Sequence, residues 1–252
     1  IYIPDNQGSN GIAVFNSNGV YIENIGTRST FFLDNATFAN PVGITIDSSS
    51  NIYITQSGTH VIQKLDSSGS LLATAGELRI NNNQLNFPMG SDEKGGKIYV
   101  ADFLNYAVKV IDEEVGDVED TIGGTTELPG IGRFPNAFVG GSGPIFPTDV
   151  IALEDNQGQD EIYVCAFEAT FLGGQIEKYS KVNGQWVLID VINASNLINL
   201  PVSPIFGIPS FFPFRMECKI IEGRKYFYVT DRTNNNLLKI DVEAKTVVAY
   251  YQ

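Results

Sequence analysis

The sequence predicts an all-β protein, a β-propeller of four-stranded antiparallel blades. Three observations predict it. A short run of the form Ile-Tyr-x-x-Asp recurs at Tyr2, Tyr53, Tyr99, Tyr163 and Tyr228, at spacings of 51, 46, 64 and 65 residues. A period in this range, built of short strands, marks a propeller or a solenoid. Each recurrence lies in a unit of β-branched and aromatic runs punctuated by Gly, Asn and Asp, the composition of one blade. No segment sustains a 3.6-residue apolar period, and every candidate helix breaks at Gly, Pro or Asn within about eight residues.

The units follow in order. The first, residues 1–26, opens directly on "IYIPD" (Ile1–Asp5) and continues with "IAVFN" and "VYIENIG". It has no innermost strand. The second, residues 38–76, holds "NPVGITID", "IYITQ", "VIQKLD" and "LLATAG". The third, residues 87–124, holds "FPMGSDE", "IYVAD", "AVKVID" and "VEDTIGG". The fourth, residues 146–192, holds "FPTDVIAL", "IYVCA", "QIEKYS" and "WVLIDVI". The fifth, residues 212–252, holds "FPFRMECKI", "FYVTD", "LLKIDV" and "TVVAYY". Five blades are readable, forming a ring of five, or of six if upstream residues precede Ile1. At 252 residues the whole chain reads as a single domain. The strand count comes out one short, so the edge of the first unit at Ile1 and Ile3 is expected to take a strand from upstream residues, from another chain, or from the segment Ser29–Asp34.

The pattern F-x-x-P-x-G-I followed by IYVAD-x-x-N-x-x-V-x-x-I/F-D and a closing Gly resembles the NHL repeat. The second and third units match it best. The resemblance implies a β-propeller, usually of six blades.

Net charge is −13 and the isoelectric point about 4.4. So few Lys and Arg exclude a phosphate-backbone partner, and nucleic acid is not expected. No apolar run reaches the roughly 18 residues that span a bilayer. Two Asn-x-Ser/Thr triplets, at Asn35 and Asn193, are acceptors for N-glycans in a secreted chain. With the acidic balance they point to an extracellular location. Cys165 and Cys218 read either as two buried thiols or as a disulfide between adjacent blades. Closing a loop of this length would contribute about 4 kcal/mol.

Propeller geometry puts the inter-blade connections and the turns after Ile-Tyr-x-x-Asp on one face, where a rigid scaffold usually carries its binding loops. Asp5, Gln56, Asp102 and Asp231 end the second strands there. Gly43, Gly90, Asp149 and Arg215 start the first strands. The carboxylates are either ligands of a central Ca²⁺ or acceptors of local backbone N–H groups, and their recurrence at one repeat position favours the backbone role. Two long apolar connections, Thr125–Phe146 with Phe138 and Asn193–Phe212 with Phe206 and Ile208, are expected to be ordered over the same face as contact surface.

The chain has one histidine, His60, expected in an exposed hairpin, so a His-rich zinc site like that of the NHL-related amidating lyase cannot be assembled. No nucleophile elbow or phosphate loop is present. Two function classes remain. One is a secreted binding or assembly module with a protein or glycan partner, or a second copy, and no cofactor. The other is a Ca²⁺-dependent hydrolase or lyase of the lactonase or strictosidine-synthase-like kind, using Asp149.

Overall fold

The computed structural model describes residues 1–5, 11–28, 37–76, 84–128, 132–135, 146–167, 173–203, 207–232 and 234–251. The chain is a β-propeller with five antiparallel blades. Blade 1 has three strands: Tyr2–Pro4, Ile12–Phe15 and Tyr21–Ile25. Blade 2 has four: Pro41–Ile46, Ile52–Gln56, Val61–Leu65 and Leu71–Ala75. Blade 3 comprises Pro88–Lys94, Lys97–Asp102, Ala107–Asp112 and Val118–Gly123. Blade 4 comprises Pro147–Glu154, Asp160–Phe167, Gly174–Val182 and Gln185–Asn193. Blade 5 comprises Pro213–Ile221, Arg224–Asp231, Asn236–Asp241 and Thr246–Tyr251.

The repeated tyrosine has a packing reason. Four of the five leave their own blade and enter the apolar layer shared with the next. Tyr2 packs with Ile12, Ile52 and Ile54 between blades 1 and 2. Tyr53 packs with Ile98 and Val100 of blade 3, and its hydroxyl donates to Glu113 O at 3.1 Å. Tyr99 joins Val150 and Ile162 of blade 4, with Trp186 edge-on at 6.2 Å. Tyr163 meets Phe227 of blade 5 edge-on at 4.8 Å. A buried aromatic ring with a polar tip supplies a large apolar area and satisfies its own hydroxyl, so it suits a wedge between two sheets. Tyr228 of blade 5 is half-buried and belongs to none of these layers. Beside it lies a cavity of about 710 Å³ that Tyr228, Thr230 and Leu237 share with Pro4 of blade 1.

Four inner strands carry the same irregularity. Their register shifts between Pro41 and Gly43, Pro88 and Ser91, Pro147 and Asp149, and Pro213 and Arg215. Proline cannot donate to the ladder, and the bulge after it bends the strand toward the axis. Among the described residues blade 1 has no such strand. Ile1 exchanges both backbone bonds with Phe15, at 2.7 and 2.8 Å, and the Asp5 N–H donates to Gly11 O at 2.9 Å. In an antiparallel pair alternate residues face opposite edges. The outward groups are therefore the N–H and C=O of Tyr2 and the C=O of Pro4, not those of Ile1 and Ile3. Among the described residues no strand pairs with that edge. The segment Ser29–Asp34, Asn35, Phe138 and Phe206 lie outside the described residues.

Part of the apolar connection after blade 4 is core: Leu197, Leu200 and Phe211 are buried between blades 4 and 5. Ile198, Val202 and Ile208 stay exposed, at 58, 61 and 62%. The expected contact surface thus reduces, among the described residues, to those three. Before blade 4 the chain adds a hairpin, Thr125–Leu128 paired with Gly132–Pro135, that the sequence pattern does not announce.

Both cysteines are free thiols, so the disulfide reading is corrected. Cys165 lies level with Asp149 in its own blade. Met216 is the blade 5 residue that reaches this level, through its N–H to Asp149 Oδ2 at 2.8 Å. Cys218 lies two residues further along, about 7 Å away at strand rise. Burial pushes the Cys165 thiol well up and Cys218 to about 11. A thiol reagent such as DTNB at pH 8 is therefore expected to modify at most Cys218 in the native protein, slowly, and both cysteines after denaturation. Fewer than two after denaturation without reductant would reinstate the bridge.

Candidate functional site

The bulge two residues after each inner-strand proline brings four repeat-equivalent residues to the axis: Gly43, Gly90, Asp149 and Arg215. The sequence placed them on one face, and the structure shows why they differ. Arg215 extends across the axis. Its Nη2 donates to Val42 O of blade 2 at 2.8 Å, its Nη1 donates to Thr148 O of blade 4, and Nη1 lies 3.6 Å from Asp149 Oδ1. A Cβ on Gly90 would land on Asp149 Oδ1 and come within 2.6 Å of Arg215 Nη1. On Gly43 it would collide with the Met89 carbonyl. Glycine at position 90 makes room for the ion pair, and glycine at position 43 for the close approach of the neighbouring inner strand.

Side chains stitch the inner strands into a circuit. Thr45 Oγ1 donates to Ser91 O at 2.6 Å, from blade 2 to blade 3. Asp92 accepts the Ala152 N–H of blade 4 at 2.9 Å. Asp149 accepts the Met216 N–H of blade 5 at 2.8 Å. Arg215 returns to blade 2. Blade 1 is bypassed.

The carboxylates that end the second strands accept backbone N–H groups, each from the residue entering its own blade. Asp102 accepts from Asn86 N–H at 2.6 Å and from Asn105 Nδ2 at 2.7 Å. Asp231 accepts from Phe212 N–H at 3.2 Å and from Asn234. Gln56 does the same for Ala39 at 2.8 Å. Asp5 ends the blade 1 strand, with its N–H on Gly11 O. These bonds fix where each connection turns into its inner strand. Burial lifts Asp92 and Asp102 to about 7, and Asp149 to about 6 despite Arg215 and two N–H donors.

Above the Arg215–Asp149 pair the axis opens as a cup of about 410 Å³. Its wall is a run of rings. Phe87 and Phe103 are 6.0 Å apart, Phe103 and Phe167 6.0 Å edge-on, and Phe167 and Phe214 6.2 Å near-parallel. The guanidiniums of Arg215 and Arg232 sit 5.3 and 5.2 Å from the Phe214 centroid. Below the pair lies an axial channel, the same space of about 710 Å³ that reaches Tyr228 and Pro4, lined also by Asp92, Asp149 and Glu217 among apolar residues. Sequence reasoning missed the cup. One signal was present: an aromatic or polar residue precedes the inner-strand proline in each unit. Asn40, Phe87 and Phe146 there take φ of 54, 61 and 49°. Bulky residues rarely adopt such values, and residues before proline normally stay extended. The Phe87 N–H is held by His60 Nδ1 at 2.8 Å, so His60 is a half-buried support of the mouth and not only an exposed hairpin residue. Burial lowers its pKa.

No protein-family model matches the chain, and no curated protein matches it. Its fold is similar to solved structures. One, a protein of unknown function from Bacteroides caccae, is 12% identical with TM-score 0.57, over 95% of this chain and 74% of that one. Another, from Bacteroides thetaiotaomicron, is 13% identical with TM-score 0.56, over 94% of this chain and 55% of that one. A structure of a nidogen/laminin complex is 13% identical with TM-score 0.49, over 96% and 89%. At these identities what is shared is the fold.

Replacing Gly90 with Ala is expected to cost about 2–4 kcal/mol, because the displaced Asp149 is buried and cannot move to water. A urea midpoint within error of the parent would contradict the packing described. The buried carboxyls also set a pH dependence. Asp92, Asp102 and Asp149 hold protons more tightly folded than unfolded, where the reference value is 3.8. Between about pH 4 and 7 the folded state binds the extra protons, so these groups make stability fall as pH rises through that window. Asp47 and Glu161, whose pKa values are lowered, contribute stability that is lost only in more acidic solution. The melting temperature is expected to be higher at pH 5.5 than at pH 8; the reverse order would refute this assignment.

Proposed function

We propose that this chain is an NHL-type β-propeller that acts outside the cell as a binding or assembly module, through the face carrying its inter-blade connections. The observation that carries this reading is the cup on the axis of that face, walled by four phenylalanines and capped by two guanidiniums. Concave sites rich in aromatic rings with a few convergent polar groups are where propellers and other rigid scaffolds hold partners. The exposed Ile198, Val202 and Ile208 add apolar contact area for a protein or glycan partner or a second copy. Asn193 supports a secreted chain. It lies at the end of an outer strand, and its Oδ1 accepts from the Ser195 N–H at 3.0 Å and hydroxyl at 2.6 Å.

The alternative is a Ca²⁺-dependent hydrolase or lyase. Asp92, Asp149 and Glu217 line one channel, which is what favours it, but among the described residues no three acidic, His or Cys side chains are grouped closely enough to hold a metal ion. Against it, Asp149 is committed to the Met216 N–H and to Arg215, and a cation would have to displace Arg215.

Two measurements on the same protein separate the readings. Binding to an immobilised panel of glycans and peptides is expected to be lost in the Phe103→Ala/Phe214→Ala variant while the far-UV spectrum is kept. Millimolar Ca²⁺ is expected to leave the melting temperature unchanged. A ligand present at 100 times its Kd stabilises by about 2.7 kcal/mol. A Ca²⁺-dependent rise of that order, abolished in Asp149→Asn, would replace the binding reading with the hydrolytic one.

A further inference from the structure

We infer that the cup takes a carboxylate carried on a planar or apolar body, with Arg232 as the group that recognises the anion. This deepens the binding reading above and rests on it. The charge at the mouth opposes the charge of the molecule. Net charge is −13, yet among the described residues the cup is lined by two arginines and no carboxylate. The two guanidiniums are not equivalent. Arg215 is committed to Val42 O, Thr148 O and Asp149. Arg232 lies exposed over the ring of Phe214 at 5.2 Å. Its own backbone N–H is fixed to Phe212 O at 3.0 Å, at the end of a strand whose Asp231 is buried. The backbone at Arg232 is thus fixed, and its side chain lines the cup beside the Phe214 ring.

A guanidinium stacked on an aromatic face presents its edge donors, and its fork matches a carboxylate in two parallel hydrogen bonds. Flanking rings lower the local dielectric and strengthen such a pair. The same rings supply stacking surface for the body of the ligand. A volume of about 410 Å³ accommodates one ring-sized group with its acid. Asn40 and Ser57, hydrogen-bonded to each other, are polar residues also in the lining. The shared chemistry fits two sources, a free aromatic acid or the C-terminal carboxylate of a peptide ending in an aromatic residue.

Titration calorimetry with two matched pairs of probes tests this: 2-naphthoate against 2-naphthamide, and a peptide ending in free Phe against its C-terminal amide. The acid of at least one pair is expected to bind ten-fold or more tightly than its amide, and the pair that does so identifies the source. Arg232→Ala is expected to abolish the difference, and Arg232→Lys to retain part of it, with the melting temperature unchanged in both. Added salt should weaken the acid more than the amide. Acid and amide binding alike, or neither binding, would overturn the inference. So would a preference that survives in Arg232→Ala. If neither acid binds while panel binding still depends on Phe103 and Phe214, the binding reading stands and only this ligand class falls.

Discussion

The guanidinium of Arg215 closes the circuit of inner strands across the axis. Four inner strands hand a hydrogen bond from blade to blade, and the last step, from blade 5 to blade 2, is made by one side chain reaching Val42 O. The arrangement depends on the bulge after each proline, which brings the third residue of the strand to the axis, and on glycine at two of those four positions. A buried ion pair is costly to desolvate and contributes only when its remaining donors and acceptors are satisfied. Here they are: Arg215 has two carbonyls and Asp149 a backbone N–H.

That one pair also divides the axial space by charge. Above it the cup is aromatic and cationic; below it the channel is acidic and partly apolar. Because Arg215 is pinned on both sides, the two compartments keep separate chemistry in spite of sharing an axis. Burial keeps the protons of Asp92 and Asp149 within reach of neutral pH, so the floor of the molecule responds to acidity while the guanidiniums of the mouth do not.

Much of the fold was legible because a repeat writes its packing rule several times. The tyrosine spacing marked the blades, and the recurring prolines marked the starts of the inner strands of blades 2 to 5. The repeat column was legible too: Gly43, Gly90, Asp149 and Arg215 each stand two residues after an inner-strand proline. What the sequence did not disclose is how unlike residues at one repeat position combine. Gly43, Gly90, Asp149 and Arg215 look like a degenerate column in one dimension and become a single constellation in three. The aromatic cup was hidden for a related reason. Phe87 sits in a backbone conformation that its residue type and the following proline both disfavour, and the support from His60 comes from another blade. The cysteines failed differently: blade adjacency is readable, but an offset of two residues along neighbouring strands is not.

The unfilled layer at Tyr228 has a consequence for how such a chain can vary. At the four packed joints a tyrosine is locked into the next blade, and a change in either sheet must be matched by its neighbour. At the fifth joint, among the described residues, Tyr228 enters no such layer and instead lines the axial channel together with Pro4. Among the described residues this joint is therefore the one least constrained by a matching neighbour, and substitutions at Tyr228 ask less of the facing blade than substitutions at Tyr53, Tyr99 or Tyr163.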